Sequence, residues 1–87
     1  MPAQVFDYKA LASTVEEALR RVRFTDGLVE VSEGYLGRVH VLVVSPLLNG
    51  LSEEQKQNAV WEILKAELGE DAEGVSLVMA YGTDELR

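Results

Sequence analysis

Arg38-Val39-His40-Val41-Leu42-Val43-Val44-Ser45-Pro46-Leu47-Leu48-Asn49-Gly50-Leu51-Ser52-Glu53-Glu54-Gln55, continuing to Leu68, is the stretch that decides the fold. Its first part, Val39 to Val44, is apolar at nearly every position. Such a run predicts a central strand covered on one face by helices, with little polar surface on the other. Its second part predicts a helix. Ser52 with Gln55 three positions later spells a capping box, and Glu53 and Glu54 put negative charge where a helix dipole favours it. Ala59, Val60, Ile63, Leu64 and Leu68 then recur on one side, Trp61 lies on the flank, and Leu68-Gly69 supplies a glycine stop.

Upstream, Leu28-Val29-Glu30-Val31-Ser32 alternates weakly and is β-branched, predicting a strand that pairs with Val39–Val44 as an antiparallel hairpin across Glu33-Gly34-Tyr35-Leu36-Gly37. Further back, Thr14 with Glu17 has the form of another capping box, so the first helix is expected to open there. Val15, Ala18, Leu19 and Val22 give it an apolar stripe, and it stops near Phe24 to Gly27. Residues 1–12 read as an N-terminal arm whose Val5, Phe6 and Tyr8 are available to pack on the body or add a short edge strand; residues 13–87 read as one domain. Downstream, Gly74 to Tyr81 predicts a third strand. The order α-β-β-α-β implies an α+β domain: a three-stranded mixed sheet with helices on one face, in which the crossover through the second helix is long enough for parallel pairing.

Composition narrows the chemistry. A chain of 87 residues supports one core, and 47% apolar residues are enough to fold it. The absence of cysteine removes disulfides, thiolate metal sites and cysteine nucleophiles. No secretory leader pattern opens the sequence and no apolar run spans a bilayer, so a cytoplasmic protein without a membrane partner is expected. The net charge of −7 opposes phosphate backbones and favours solubility and a basic patch on a protein partner; its simplest reading is a solvated surface.

Val43-Val44-Ser45, Gly50-Leu51-Ser52, and Val60, Glu62, Leu64 and Glu67-Leu68 together resemble the BolA-like family, with the similarity running from about Val15 to Leu86. The resemblance implies a fold like that of class II KH domains, the α-β-β-α-β order with an extra short helix. In the family an Arg-His-Arg segment one turn into the second helix carries an imidazole that helps ligate a [2Fe-2S] cluster shared with a monothiol glutaredoxin. Here that segment reads Lys56-Gln57-Asn58, and a glutamine amide is a poor ligand for soft iron. The start of the second strand, often Gly-His-Phe in the family, reads Gly37-Arg38-Val39. The expectation is therefore a protein without a cofactor or cluster of its own, which binds a monothiol glutaredoxin or another iron–sulfur- or redox-linked protein through Tyr35 and Arg38 at the entry of the second strand, the Lys56 and Gln57 face, and the final strand.

Other candidates have structural explanations. His40, the single histidine, sits in an apolar strand and reads as a strand residue rather than a ligand. Gly34-Tyr35-Leu36-Gly37 spells the GxxG with which KH domains clamp nucleic acid, but it joins two strands here, so a glycine-permitted turn is the better reading. Arg20, Arg21 and Arg23 form the one basic cluster and suit the end of a helix dipole; they are also the residues on which a KH-like nucleic-acid-binding alternative rests. A further alternative is a structural homo-oligomer, a homodimer included, formed through an uncovered sheet edge. With one histidine, no cysteine and carboxylates at helix ends, no catalytic constellation is spelled, and the chain is read as non-enzymatic.

Overall fold

Residues 5–86 are described by a computed structural model. Helix α1 (Tyr8–Val22) is followed by strands β1 (Leu28–Glu33) and β2 (Val39–Val44), helix α2 (Glu53–Leu68) and strand β3 (Val75–Tyr81), with 3-10 turns at Tyr35–Gly37, Pro46–Leu48, Gly69–Gly74 and Thr83–Glu85. The sheet has the order β1-β2-β3. β1 pairs antiparallel with β2, and β3 pairs parallel with it after the α2 crossover. This is an α+β domain with a mixed three-stranded sheet.

Alternation along the strands sorts the side chains into two faces. On the helix side the register aligns Val29, Val43 and Ala80, then Val31, Val41 and Val78, then Glu33, Val39 and Val75. Val39, Val41 and Val43 are wholly buried, together with Val15 and Leu19 of α1, Val60 and Leu64 of α2, and Phe24 of the following turn. A bulge between Val39 and His40 skips Ser76 and keeps β3 in step, so Val75, Val78 and Ala80 all face inward.

The first helix begins earlier than its sequence suggests. Asp7 is its N-cap, with Oδ1 accepting from the Ala10 N–H at 3.4 Å, and Leu11 and Ala12 extend the buried stripe one turn back from Val15. Thr14 lies inside the helix, where its hydroxyl donates to the Ala10 carbonyl at 3.1 Å instead of capping anything. Residues Tyr8 to Ala12 thus belong to α1. Phe6 packs against the core as well, and its N–H donates to the Leu36 carbonyl at 2.8 Å. The second helix opens where expected: Ser52 Oγ accepts from Gln55 N–H at 3.1 Å, and Gln55 Oε1 accepts from Ser52 N–H at 2.9 Å.

The two hydroxyls should respond differently to truncation. Ser52→Ala removes a cap and is expected to lower stability by about 1 kcal/mol. Thr14→Ala removes only a bond to the helix's own backbone, and its cost should stay within about 0.5 kcal/mol because alanine is the better helix former. Urea midpoints at unchanged slope read both; an equal loss at the two sites would contradict the Asp7 start.

Candidate binding surface

Tyr35 and Arg38 lie at one end of the sheet, Lys56 at the other, and Gln57 along the edge of β3. Tyr35 and Arg38 sit in the β1–β2 loop, where the Arg38 N–H donates to the Tyr35 carbonyl at 3.2 Å. Lys56 belongs to the opposite end of the sheet, beyond the C-termini of β2 and β3, so the length of β2, roughly 17 Å at about 3.3 Å per residue, separates the two.

The loop is shaped by close approach. Gly37, at φ +76°, lies so near the Phe6 carbonyl that a Cβ would collide with it, and Leu36 beside it also holds a left-handed conformation, φ +58°. Gly34 leaves room for the His40 ring, whose Nε2 occupies the space a Cβ would take. Tyr35, beside Gly34, is 82% exposed. Arg38 folds back: its guanidinium carbon stands 5.6 Å from the centre of the Phe6 ring, and its Nε is buried without a hydrogen-bond partner among the described residues.

Lys56 is buried, 3% exposed, contrary to its expected place on a binding face. Its ammonium donates to Glu85 Oε1 at 2.6 Å and to Glu53 Oε1 at 2.7 Å. Glu85 Oε1 also accepts from the Gly82 N–H at 2.9 Å, closing the turn after β3. Asn49 and Asp84 complete the clasp: Asp84 N–H donates to Asn49 Oδ1 at 3.2 Å, and Gly50 N–H donates to Asp84 Oδ2 at 3.2 Å. This lysine therefore ties the segment after β3 to the start of α2.

Gln57 is half-buried and committed at both ends of its amide. Nε2 donates to the Val78 carbonyl at 2.8 Å, while Oε1 accepts from Trp61 Nε1 at 3.2 Å. The Tyr81 carbonyl turns toward β2, accepting from Ser45 N–H at 3.1 Å, so by the strand's period of two the Val78 carbonyl turns away from it. Gln57 thus covers the free edge of β3. An equivalent device protects the far edge of β1. There the Gly34 N–H to Arg38 carbonyl bond at 2.7 Å sets the even residues against β2, leaving the Val29 carbonyl outward, where Arg20 donates to it at 3.0 Å. Long polar side chains at a sheet edge oppose pairing with another chain, which weakens the case for oligomers built by edge addition.

The basic cluster is largely spent within the molecule. Arg20 also pairs with Glu16 at 3.1 Å, Arg21 pairs with Glu67 of α2, and Arg23 closes α1 at its exposed C-cap. Among the described residues no group of three or more His, Cys, Asp or Glu side chains gathers as a cation site, and no helix is long and apolar enough to cross a membrane.

The face of the sheet away from the helices takes in the outward residues of the final strand, but the sequence does not mark it as one continuous face. Its rows are Leu28, Val44 and Tyr81, then Glu30, Leu42 and Met79, then Ser32, His40 and Leu77. Leu28, Leu77, Met79 and Tyr81 are all exposed. The signal available in the sequence was the apolar character of both alternating sets in Val39–Val44, combined with only two helices to cover them. Comparison of the chain with family models, with curated proteins and with solved structures finds no match.

The clasp carries a pH signature. Hydrogen bonds from Lys56 and then from the Gly82 N–H hold the Glu85 carboxyl below its ordinary value of 4.5. Hydrogen bonds to Glu53 and then Glu85 hold the Lys56 ammonium above 10.5. A lowered carboxyl contributes stability that is present above 4.5 and lost as pH falls through the lower folded value; a raised ammonium contributes stability that is present below 10.5 and lost as pH rises through the higher folded value. The Gly82 amide resonance should titrate in acid with a midpoint below that of a free glutamate, moving back toward it in Lys56→Met. An unshifted midpoint in the parent protein would remove the clasp.

Replacing Gln57 with leucine strips partners from the Val78 carbonyl and the Trp61 indole. A loss on the order of 1 kcal/mol is expected, together with a change in Trp61 emission. Unchanged emission and stability would show that the amide does not bridge them.

Proposed function

We propose that this chain is a non-enzymatic protein-interaction domain of BolA-like type, acting in the cytoplasm and binding its partner without ligating a cluster. The observation that supports an interaction role is the sheet face without a helix, where Leu28, Leu77, Met79 and Tyr81 are exposed around the half-buried Leu42 and the buried Val44. Contiguous apolar surface of this kind marks interaction sites on small domains. The partner class implied by the resemblance is a monothiol glutaredoxin or another redox- or iron–sulfur-linked protein. Commitment of both ends of the Gln57 amide to Val78 and Trp61 supports binding that leaves the partner's cluster unliganded by this chain.

Titration with a cluster-loaded monothiol glutaredoxin tests this reading. A complex should form while the visible spectrum of the cluster stays that of the glutaredoxin alone. Absence of a complex removes that partner class, and a spectrum altered by this chain contradicts binding without ligation.

A further inference from the structure

The open sheet face restricts what can lie on it. β2 and β3 pair in parallel within a mixed sheet, and both helices pack on the same side of it. The outward face nevertheless carries Leu28, Leu42, Leu77, Met79 and Tyr81 in adjoining rows, with a dent of about 130 Å³ bordered by Glu30, Ser32, His40, Leu42 and Met79. Three strands spaced about 4.8 Å apart offer a width that one α-helix, about 10 Å across, covers. A partner strand is the poorer fit, because Arg20 and Gln57 occupy carbonyls at the two free edges.

Charge discriminates between the remaining occupants. None of the three strands contains Lys or Arg, and Glu30 stands exposed in the middle row of the face. A second copy would bring another net −7 and no strand lysine or arginine to meet Glu30. A helix with an apolar stripe flanked by Lys or Arg satisfies both the rows and the carboxylate. We infer that the open face of the sheet is the docking site for a basic amphipathic helix of a protein partner, its apolar stripe lying over Leu42 and Met79 and a flanking cation meeting Glu30. The inference deepens the interaction-domain reading and rests on it.

Three synthetic peptides of about 18 residues, about five helical turns, serve as probes. One has a leucine stripe flanked by lysine, the second replaces those lysines with glutamate, and the third shuffles the lysine peptide so that the stripe is lost. The striped lysine peptide should bind at least about tenfold more tightly than either control, and its binding should shift the amide resonances of Glu30, Leu42, Leu77 and Met79. Met79→Lys, at an exposed position that leaves the core intact, should weaken it about tenfold, and Glu30→Lys should reduce the preference for lysine over glutamate flanks. Equal binding of the striped and shuffled lysine peptides, resonance shifts confined to the helices, or no binding would overturn the inference. So would a dimer in sedimentation that Met79→Lys dissolves, since the face would then belong to a second copy. Shifts elsewhere on the molecule sink the sheet face and spare the interaction-domain reading, which the glutaredoxin titration judges separately.

Discussion

Burial of Val39, Val41 and Val43 between the two helices and the flanking strands is the constraint on which the rest of the molecule depends. Each is fully enclosed, and removing such a side chain from water contributes roughly 1.5–3 kcal/mol. A strand side chain has only two directions available, so sending these valines inward sends His40, Leu42 and Val44 outward. A slip of one residue would exchange the sets and bury His40 in the core. The same valines that hold the helices down therefore create an apolar surface on the opposite side, and both helices are already used on the first.

The polar interactions around this core share a purpose. Arg20 from α1 and Gln57 from α2 reach past the sheet to occupy edge carbonyls, one on each side. Lys56, buried between Glu53 and Glu85, fastens the chain after β3 to the helix that precedes it. At the other end Phe6 lies under Arg38 and against Gly37, fastening the chain before α1 to the β1–β2 loop. Each edge thus has a carbonyl occupied, and both ends are tied, from within the chain. What is left uncovered is a face, and that favours docking by a helix over pairing by a strand.

Local signals in the sequence carry most of this architecture and little of the surface. The β2 run, the Ser52-Gln55 box and the Gly69 stop are each contained in a few neighbouring residues, and each appears in the structure where it was read. Thr14-Glu17 has the same spelling as a box but lies in mid-helix, because Leu11 and Ala12 continue the buried stripe back to Asp7 and packing outweighs the local motif. The fates of Lys56 and Gln57 were not legible at all. One depends on Glu85, 29 positions away, and the other on Val78, 21 positions away, contacts that only the folded chain brings together. Arg20 and Arg21 likewise read as a cation patch until Glu16, Val29 and Glu67 claim them.

The central claim is that one face of the sheet is packed and the other is open to solvent. Methyl resonances recorded with a soluble nitroxide measure this most directly, because the probe broadens only methyls it can approach. The account predicts strong broadening at Leu28, Leu77 and Met79 and none at Val39, Val41 and Val43. Equal protection of both groups would contradict it, as would broadening of the three valines.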